Sequence, residues 1–129
     1  MTTRAIADTS IFIADETGRP LVATALPDEL AVSVITIGEL RAGVLAATDV
    51  STRDRRLRTL TAALELDPIP IDTAVADRWA MLRVLLRDRG LRMGVNDSWI
   101  AATALALGVP VLTHGDGFPA IDELQVLRA

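Results

Sequence analysis

The chain has no cysteine. That excludes disulfides, thiolate zinc sites, iron–sulfur clusters and cysteine nucleophiles, and it fits a reducing compartment. It also has no lysine: all 13 basic residues are arginine. Phosphate-binding loops, Schiff-base chemistry and phospho-receiver signalling each need a lysine, so all three are excluded. A single histidine rules out His-rich metal sites. Tyrosine is absent and aromatics make up 3% of the residues, so the core must be aliphatic and base stacking cannot be the main mode of recognition. Long apolar runs are missing too. Met1 to Asp8 has no signal-peptide core, and no stretch approaches the roughly 20 apolar residues of a membrane span. A soluble, cytoplasmic chain is expected.

What remains is 129 residues, 13.8 kDa, half of them hydrophobic. This is enough for one packed domain over residues 1–129. The net charge is −4. An acidic mean gives no bulk attraction to nucleic acid, although binding responds to local patches.

Short β-like runs alternate with helical patterns, which predicts an α/β domain with a parallel sheet. Strands are expected at 4–7, 30–35, 67–71, 109–113 and 124–127. The run at 30–35 is apolar nearly throughout, as a strand covered on both faces should be. Helices are expected at 10–15, at 21–26, from Thr36, at 51–66, from Asp72 to Gly90, and at 97–107. Thr36 with Glu39 forms a capping-box pattern. Leu57, Leu60 and Leu64 form an apolar stripe, as do Val75, Trp79, Leu82 and Leu86. Met81, Val84 and Leu85 broaden the second stripe, either for deep burial or for contact with a second chain. Asn96 is positioned to cap the helix that Gly108 ends.

Four acids fall at particular places in this plan. Asp8 ends the first strand. Glu39 lies in the first turn after the second strand, Asp97 opens the helix after Asn96, and Asp116 follows the 109–113 strand. In an open parallel sheet, the carboxyl ends of the strands share one edge, where ligands bind. Four distant carboxylates could therefore converge. Taken singly, Asp8, Glu39 and Asp97 are equally suited to capping roles. Taken together, converging carboxylates repel unless neutralised, and Mg²⁺ or Mn²⁺ does this best. An acidic pocket without Lys, Cys or paired His suits metal-dependent phosphodiester hydrolysis.

Four segments carry a family resemblance. Ala7-Asp8-Thr9-Ser10-Ile11-Phe12-Ile13 resembles the opening motif of PIN-domain ribonucleases. Val34 to Gly43 resembles the second motif, whose acid is Glu39. Asn96-Asp97-Ser98-Trp99-Ile100-Ala101-Ala102 resembles the third. Val109-Pro110-Val111-Leu112-Thr113, with Asp116 and Phe118, resembles the fourth. The order and spacing cover nearly the whole chain, and its size is similar to that of VapC toxins from VapBC toxin–antitoxin pairs.

The resemblance implies a PIN-like three-layer α/β/α domain with a central parallel sheet of four to five strands. It implies an Mg²⁺- or Mn²⁺-dependent endoribonuclease that is a homodimer and is inhibited by a cognate VapB-type antitoxin. Asp8, Glu39 and Asp97 carry over as core acids, with Asp8 and Asp97 as direct metal ligands. Ser10 and Thr113 match small hydroxyl positions that steady the pocket. The family commonly has Asp or Asn two residues after this threonine. Here Gly115 stands there and the acid comes one later, at Asp116, so the site has either a shifted fourth acid or only three.

The expected mechanism has metal at Asp8 and Asp97 activating water, with Glu39 positioning that water or taking its proton. Arg41, just past Glu39, is the candidate RNA contact. The clusters Arg53, Arg55, Arg56, Arg58 and Arg87, Arg89, Arg92 read as solvated faces. His114 reads as a loop residue, and Trp99, beside Asp97, as core or pocket wall. The rival reading is a PIN-like module with degraded catalysis that acts by binding protein or RNA, for which Gly115 is the main support.

Overall fold

A computed structural model describes residues 2–129. Four parallel strands form one sheet: β1 (Arg4–Ala7), β2 (Glu29–Ala31), β3 (Val111–Thr113) and β4 (Val126–Arg128), in the order β2-β1-β3-β4. Among the described residues, five helices cover it: α1 (Thr9–Glu16), α2 (Val34–Ala46), α3 (Val50–Leu64), α4 (Thr73–Asp88) and α5 (Val95–Leu107).

Side chains alternate across the strands and divide the core. Ile6 and Val111 face α5 and pack with Ile100, Ala101, Ala104, Leu82 and Leu86. Ala5, Ala7 and Leu112 face the opposite way, onto Ile11 of α1. Behind α1, α2 and α3 build a smaller cluster from Leu40, Val44, Leu60 and Ala63. The result is the expected α/β/α sandwich, with an almost wholly aliphatic core. The one buried aromatic among the described residues is Phe118, which closes the α5 side.

The strands are shorter than their apolar runs. The run at 30–35 is strand only to Ala31, because Ser33 ends it. The Ser33 hydroxyl accepts from the Ile35 amide at 3.1 Å and starts α2 at Val34. Ser33 rather than Thr36 is therefore the cap. The segment 67–71 contributes only one bridge, Ile69 to Ser33, consistent with its two prolines. The segment 21–26 holds a single 3-10 turn, Ala23–Ala25. In α3 the apolar stripe is narrower than expected: Leu60 is buried, but Leu57 and Leu64 stay exposed.

Asp72 caps α4, where the sequence predicts that helix to begin, and accepts from Val75; Asp49 caps α3 and accepts from Thr52, a cap that the sequence reading leaves unmarked. Helix α5 begins at Val95 with Gly94 as its cap, so Asn96 lies inside the first turn. Gly108, at φ 68°, ends it in the left-handed conformation that glycine adopts without steric cost.

The arginines of α3 are structural. Arg56 donates to the Gly43 carbonyl at 2.7 Å and Arg53 to the Ala47 carbonyl at 3.2 Å. Both tie α3 to the C-terminal end of α2, whose last carbonyls lack helical partners. Arg55 pairs with Glu16 at 3.7 Å and Arg58 with Asp54 at 3.0 Å.

Candidate active site

The centre of the site is Asp8, at the carboxyl end of β1. It is 5% exposed. It starts α1 but caps nothing with its side chain. Each carboxylate oxygen instead takes a hydroxyl donor: Ser10 Oγ reaches Oδ1 at 2.5 Å, and Thr113 Oγ1 reaches Oδ2 at 2.6 Å. These are charge-assisted hydrogen bonds, which is how a buried carboxylate is tolerated. Ser10 also accepts from the His114 amide at 2.8 Å, and Thr113 from the Gly115 amide at 3.0 Å. The two hydroxyls therefore join β1, α1 and the loop after β3 around a single acid. Burial still pushes the Asp8 carboxyl above its ordinary range, against the opposing pull of Ser10 and Thr113.

Glu39 comes from the second turn of α2. Its Oε1 accepts from Thr9 Oγ1 at 2.7 Å, and the Thr9 and Thr36 hydroxyls lie 3.0 Å apart. Glu39 is therefore no half of a capping box. It is held by the residue next to Asp8. Asp97 enters from the first turn of α5. Burial raises its carboxyl above the usual range, and the negative charges of Asp8 and Glu39 raise it further. Asp97 thus feels both of the other acids. Among the described residues, however, no three acidic or histidine side chains form a ready-made metal cage. The three acids share an electrostatic neighbourhood without meeting at one point.

Asp116 does not join them. Its side chain is fully exposed and stands 3.9 Å from Arg128 Nη1. Arg128 also donates to the Gly115 carbonyl, fixing the loop from the β4 side. The same loop approaches the site through Gly117. A Cβ added there would collide with the Asp97 carboxylate, so the absence of a side chain lets the loop and Asp97 pack together.

Arg41 is exposed on α2. Positions two apart on a helix do not face each other, so it points away from the direction Glu39 takes. His114 Nδ1–H donates to the Ala129 main-chain oxygen at 2.8 Å, joining this loop to the end of β4. Trp99 stacks flat on Trp79, with ring centroids 4.4 Å apart and planes at 4°. Trp79 in turn donates to Ser98 at 3.0 Å, one residue from Asp97.

Two participants escaped the sequence reading. Thr9 was visible between Asp8 and Ser10, but nothing in its spacing pointed to Glu39. Thr36 looked like a cap, because an apolar run hid the helix start at Ser33.

The PIN domain family matches residues 5–124. The chain belongs to the PIN-domain family. It is 44% identical to Ribonuclease VapC5 of Mycobacterium tuberculosis over 126 residues, covering 95% of this chain and 93% of that protein. It is also 44% identical to Ribonuclease VapC4 of the same organism over 124 residues, covering 96% and 95%. Among solved structures, a VapBC-5 toxin–antitoxin system from M. tuberculosis superposes with a TM-score of 0.90 at 38% identity, covering 98% of this chain and 99% of that one. The motif segments of this PIN domain are those that the structure brings to the carboxyl ends of β1 and β3, the first two turns of α2 and the first turn of α5. No helix among the described residues is long and apolar enough to cross a membrane.

Proposed function

We propose that this PIN domain is a metal-dependent endoribonuclease, the toxin of a type II toxin–antitoxin pair, which hydrolyses RNA phosphodiester bonds at Asp8, Glu39 and Asp97. One observation carries the reading: Asp8 is buried, held on both oxygens by hydroxyls, and shares a field of like charge with Glu39 and Asp97. Such an arrangement costs stability and suits a cation-binding site. The kinship with two ribonucleases supports the reaction class.

The donor set is all oxygen, which fits Mg²⁺ or Mn²⁺ and not a softer metal. Asp8 and Asp97 would hold the ion, which when bound would acidify water and offset charge on the phosphate. The chain's own residues do the rest. Ser10 and Thr113 hold the Asp8 carboxylate in one orientation. Thr9 occupies Oε1 of Glu39, leaving Oε2 to take a proton from the attacking water. Gly117 leaves room for the Asp97 carboxylate. Arg41 points away from Glu39 and has no part at the scissile phosphate in this reading.

The proposed partner is a VapB-type antitoxin, because the related VapC chain comes from a toxin–antitoxin complex. A homodimer is the proposed assembly: Met81 and Val84 leave apolar surface exposed on α4. The proposed location is the cytoplasm.

The test is cleavage of single-stranded RNA by the parent, Asp8→Asn and Asp97→Asn with Mn²⁺ and with EDTA. Activity in the parent with Mn²⁺ only, lost in both variants, is expected. Cleavage that survives chelation and both substitutions overturns the reading. A second reading, a binding module with degraded catalysis, is favoured by Gly115 in the fourth motif and by the outward position of Asp116. Under it, calorimetry would show no Mn²⁺ binding and the parent would not cleave.

A further inference from the structure

The clearest cationic feature of this acidic chain lies outside the site described above. A cavity of about 240 Å³ is lined by Arg83, Leu86 and Arg87 of α4 and by Leu91, Arg92 and Met93 of the connection to α5. Its floor is apolar: Leu86 is buried, and Leu91 and Met93 pack against the core. Its rim carries three guanidinium groups and no carboxylate. Of the three, Arg87 alone has an acidic partner among the described residues, Asp88 at 3.2 Å, and that pair is exposed and therefore weak. Arg83 lies over the Trp79 ring, 5.3 Å from its centre. Complementing the negative end of α4 does not account for all three, since Arg83 precedes the last turn and Arg92 lies beyond the helix.

The cavity also stands at the right end of the molecule. A short connection turns α4 back into α5, so the end of α4 and the start of α5 lie together. The start of α5 carries Asp97. Gly94, adjacent to Met93 of the cavity, comes so near that a Cβ on it would stand 3.7 Å from Asp97 Oδ2. The cavity therefore lies at the end of the α4–α5 pair that carries Asp97.

We propose that this arginine-rimmed cavity is a second phosphate subsite, which takes a backbone phosphodiester of the RNA flanking the scissile bond. The proposal rests on the ribonuclease reading. Arginine forks bind phosphate oxygens bidentately, and three of them at one rim can grip a phosphodiester together. The subsite supplies cationic grip at a distance from acids that would otherwise repel RNA. Because it reads only backbone, it adds affinity without sequence preference.

The experiment uses the full chain with Arg83→Gln and Arg92→Gln combined, and with Arg92→Gln alone in case removing the Arg83 guanidinium from the Trp79 ring disturbs the fold. Two readouts are taken. The first is cleavage kinetics on a long oligoribonucleotide and on a dinucleotide. The second is fluorescence anisotropy with a 2′-O-methyl oligoribonucleotide in EDTA, across a salt series.

The expected effect grows with length: KM rises about tenfold on the long substrate in the double variant and less than twofold on the dinucleotide. The salt dependence of binding should flatten by about 0.7 in log–log slope for each phosphate that the variant no longer neutralises. Unchanged KM and slope overturn the proposal. So does a variant that binds RNA normally but loses affinity for an acidic polypeptide, since the cavity would then serve a protein. If the parent cleaves nothing, the reaction assignment fails, yet weaker oligonucleotide binding by the variants in EDTA would still support the subsite.

Discussion

Thr113→Val gives the most direct measure of how this site is held. Valine keeps the shape of threonine and removes only its hydroxyl. That hydroxyl is fully buried, donates to Asp8 Oδ2 at 2.6 Å and accepts from the Gly115 amide at 3.0 Å. A hydrogen bond to a charged group contributes about 1.5–3 kcal/mol. For a chain of this size that corresponds to a fall in Tm of roughly 6–12 °C at neutral pH.

The loss should depend on pH, and the sign follows from Asp8. Burial holds its folded pKa above the ordinary value, so ionised Asp8 already works against folding above that pKa. Thr113 offsets part of that penalty, and removing it deepens the penalty. Losing the Thr113 donor raises the folded pKa of Asp8 further, so the deficit is full only above the variant's own folded pKa. It shrinks as pH falls through that pKa, towards the ~1 kcal/mol of a bond between neutral groups. Thermal melts of parent, Thr113→Val and Thr113→Ser at neutral and mildly acidic pH test this. Serine restores the donor and should recover most of the loss, less roughly 0.8 kcal/mol for a buried methyl. A valine variant within about 2 °C of the parent at neutral pH, or a deficit that does not change with pH, would refute the reasoning.

Three further outcomes follow from the same geometry. Asp97→Asn should abolish cleavage yet raise Tm, by roughly 1–3 °C given the partial exposure of the group, because it removes a charge disfavoured by burial and by Asp8 and Glu39; a lower Tm at neutral pH would contradict this. Gly117→Ala should displace the Asp97 carboxylate and cut cleavage about tenfold, roughly 1.4 kcal/mol in the barrier, with little change in circular dichroism; parental rates would show that the carboxylate moves freely. Asp116→Asn should cleave within twofold of the parent, since this side chain faces solvent and Arg128; a loss of a hundredfold would mean that the loop brings Asp116 inward during turnover.

Much of this arrangement was legible in the sequence, because strand ends and helix starts are marked by local chemistry. Asp8 after the apolar run Ala5-Ile6-Ala7, Asp97 at a helix start and Thr113 at a strand end all lie where the pattern puts them. The failures share a cause. Apolar runs do not show where a strand becomes a helix, so Val34 and Ile35 read as strand although the Ser33 hydroxyl had already started α2. The same ambiguity turned Thr36 into a cap and Glu39 into its partner. In truth both face Thr9, 27 and 30 residues earlier in the chain. Asp116 was misplaced for a different reason. Sequence proximity to the fourth motif is a local property, whereas the path of its loop depends on tertiary contacts such as Arg128 to the Gly115 carbonyl. The tertiary partners of side chains are what no window of sequence contains.

The bond between Thr113 and Asp8 spans 105 positions of the chain. A polypeptide still emerging from the ribosome has Asp8 well before the clamp that lies 105 residues later. Until then β1 lacks its neighbour β3, and Asp8 has only the local donor Ser10 for its two carboxylate oxygens. The site is therefore complete only when β1 and β3 have paired, and its assembly reports on the folding of the sheet as a whole.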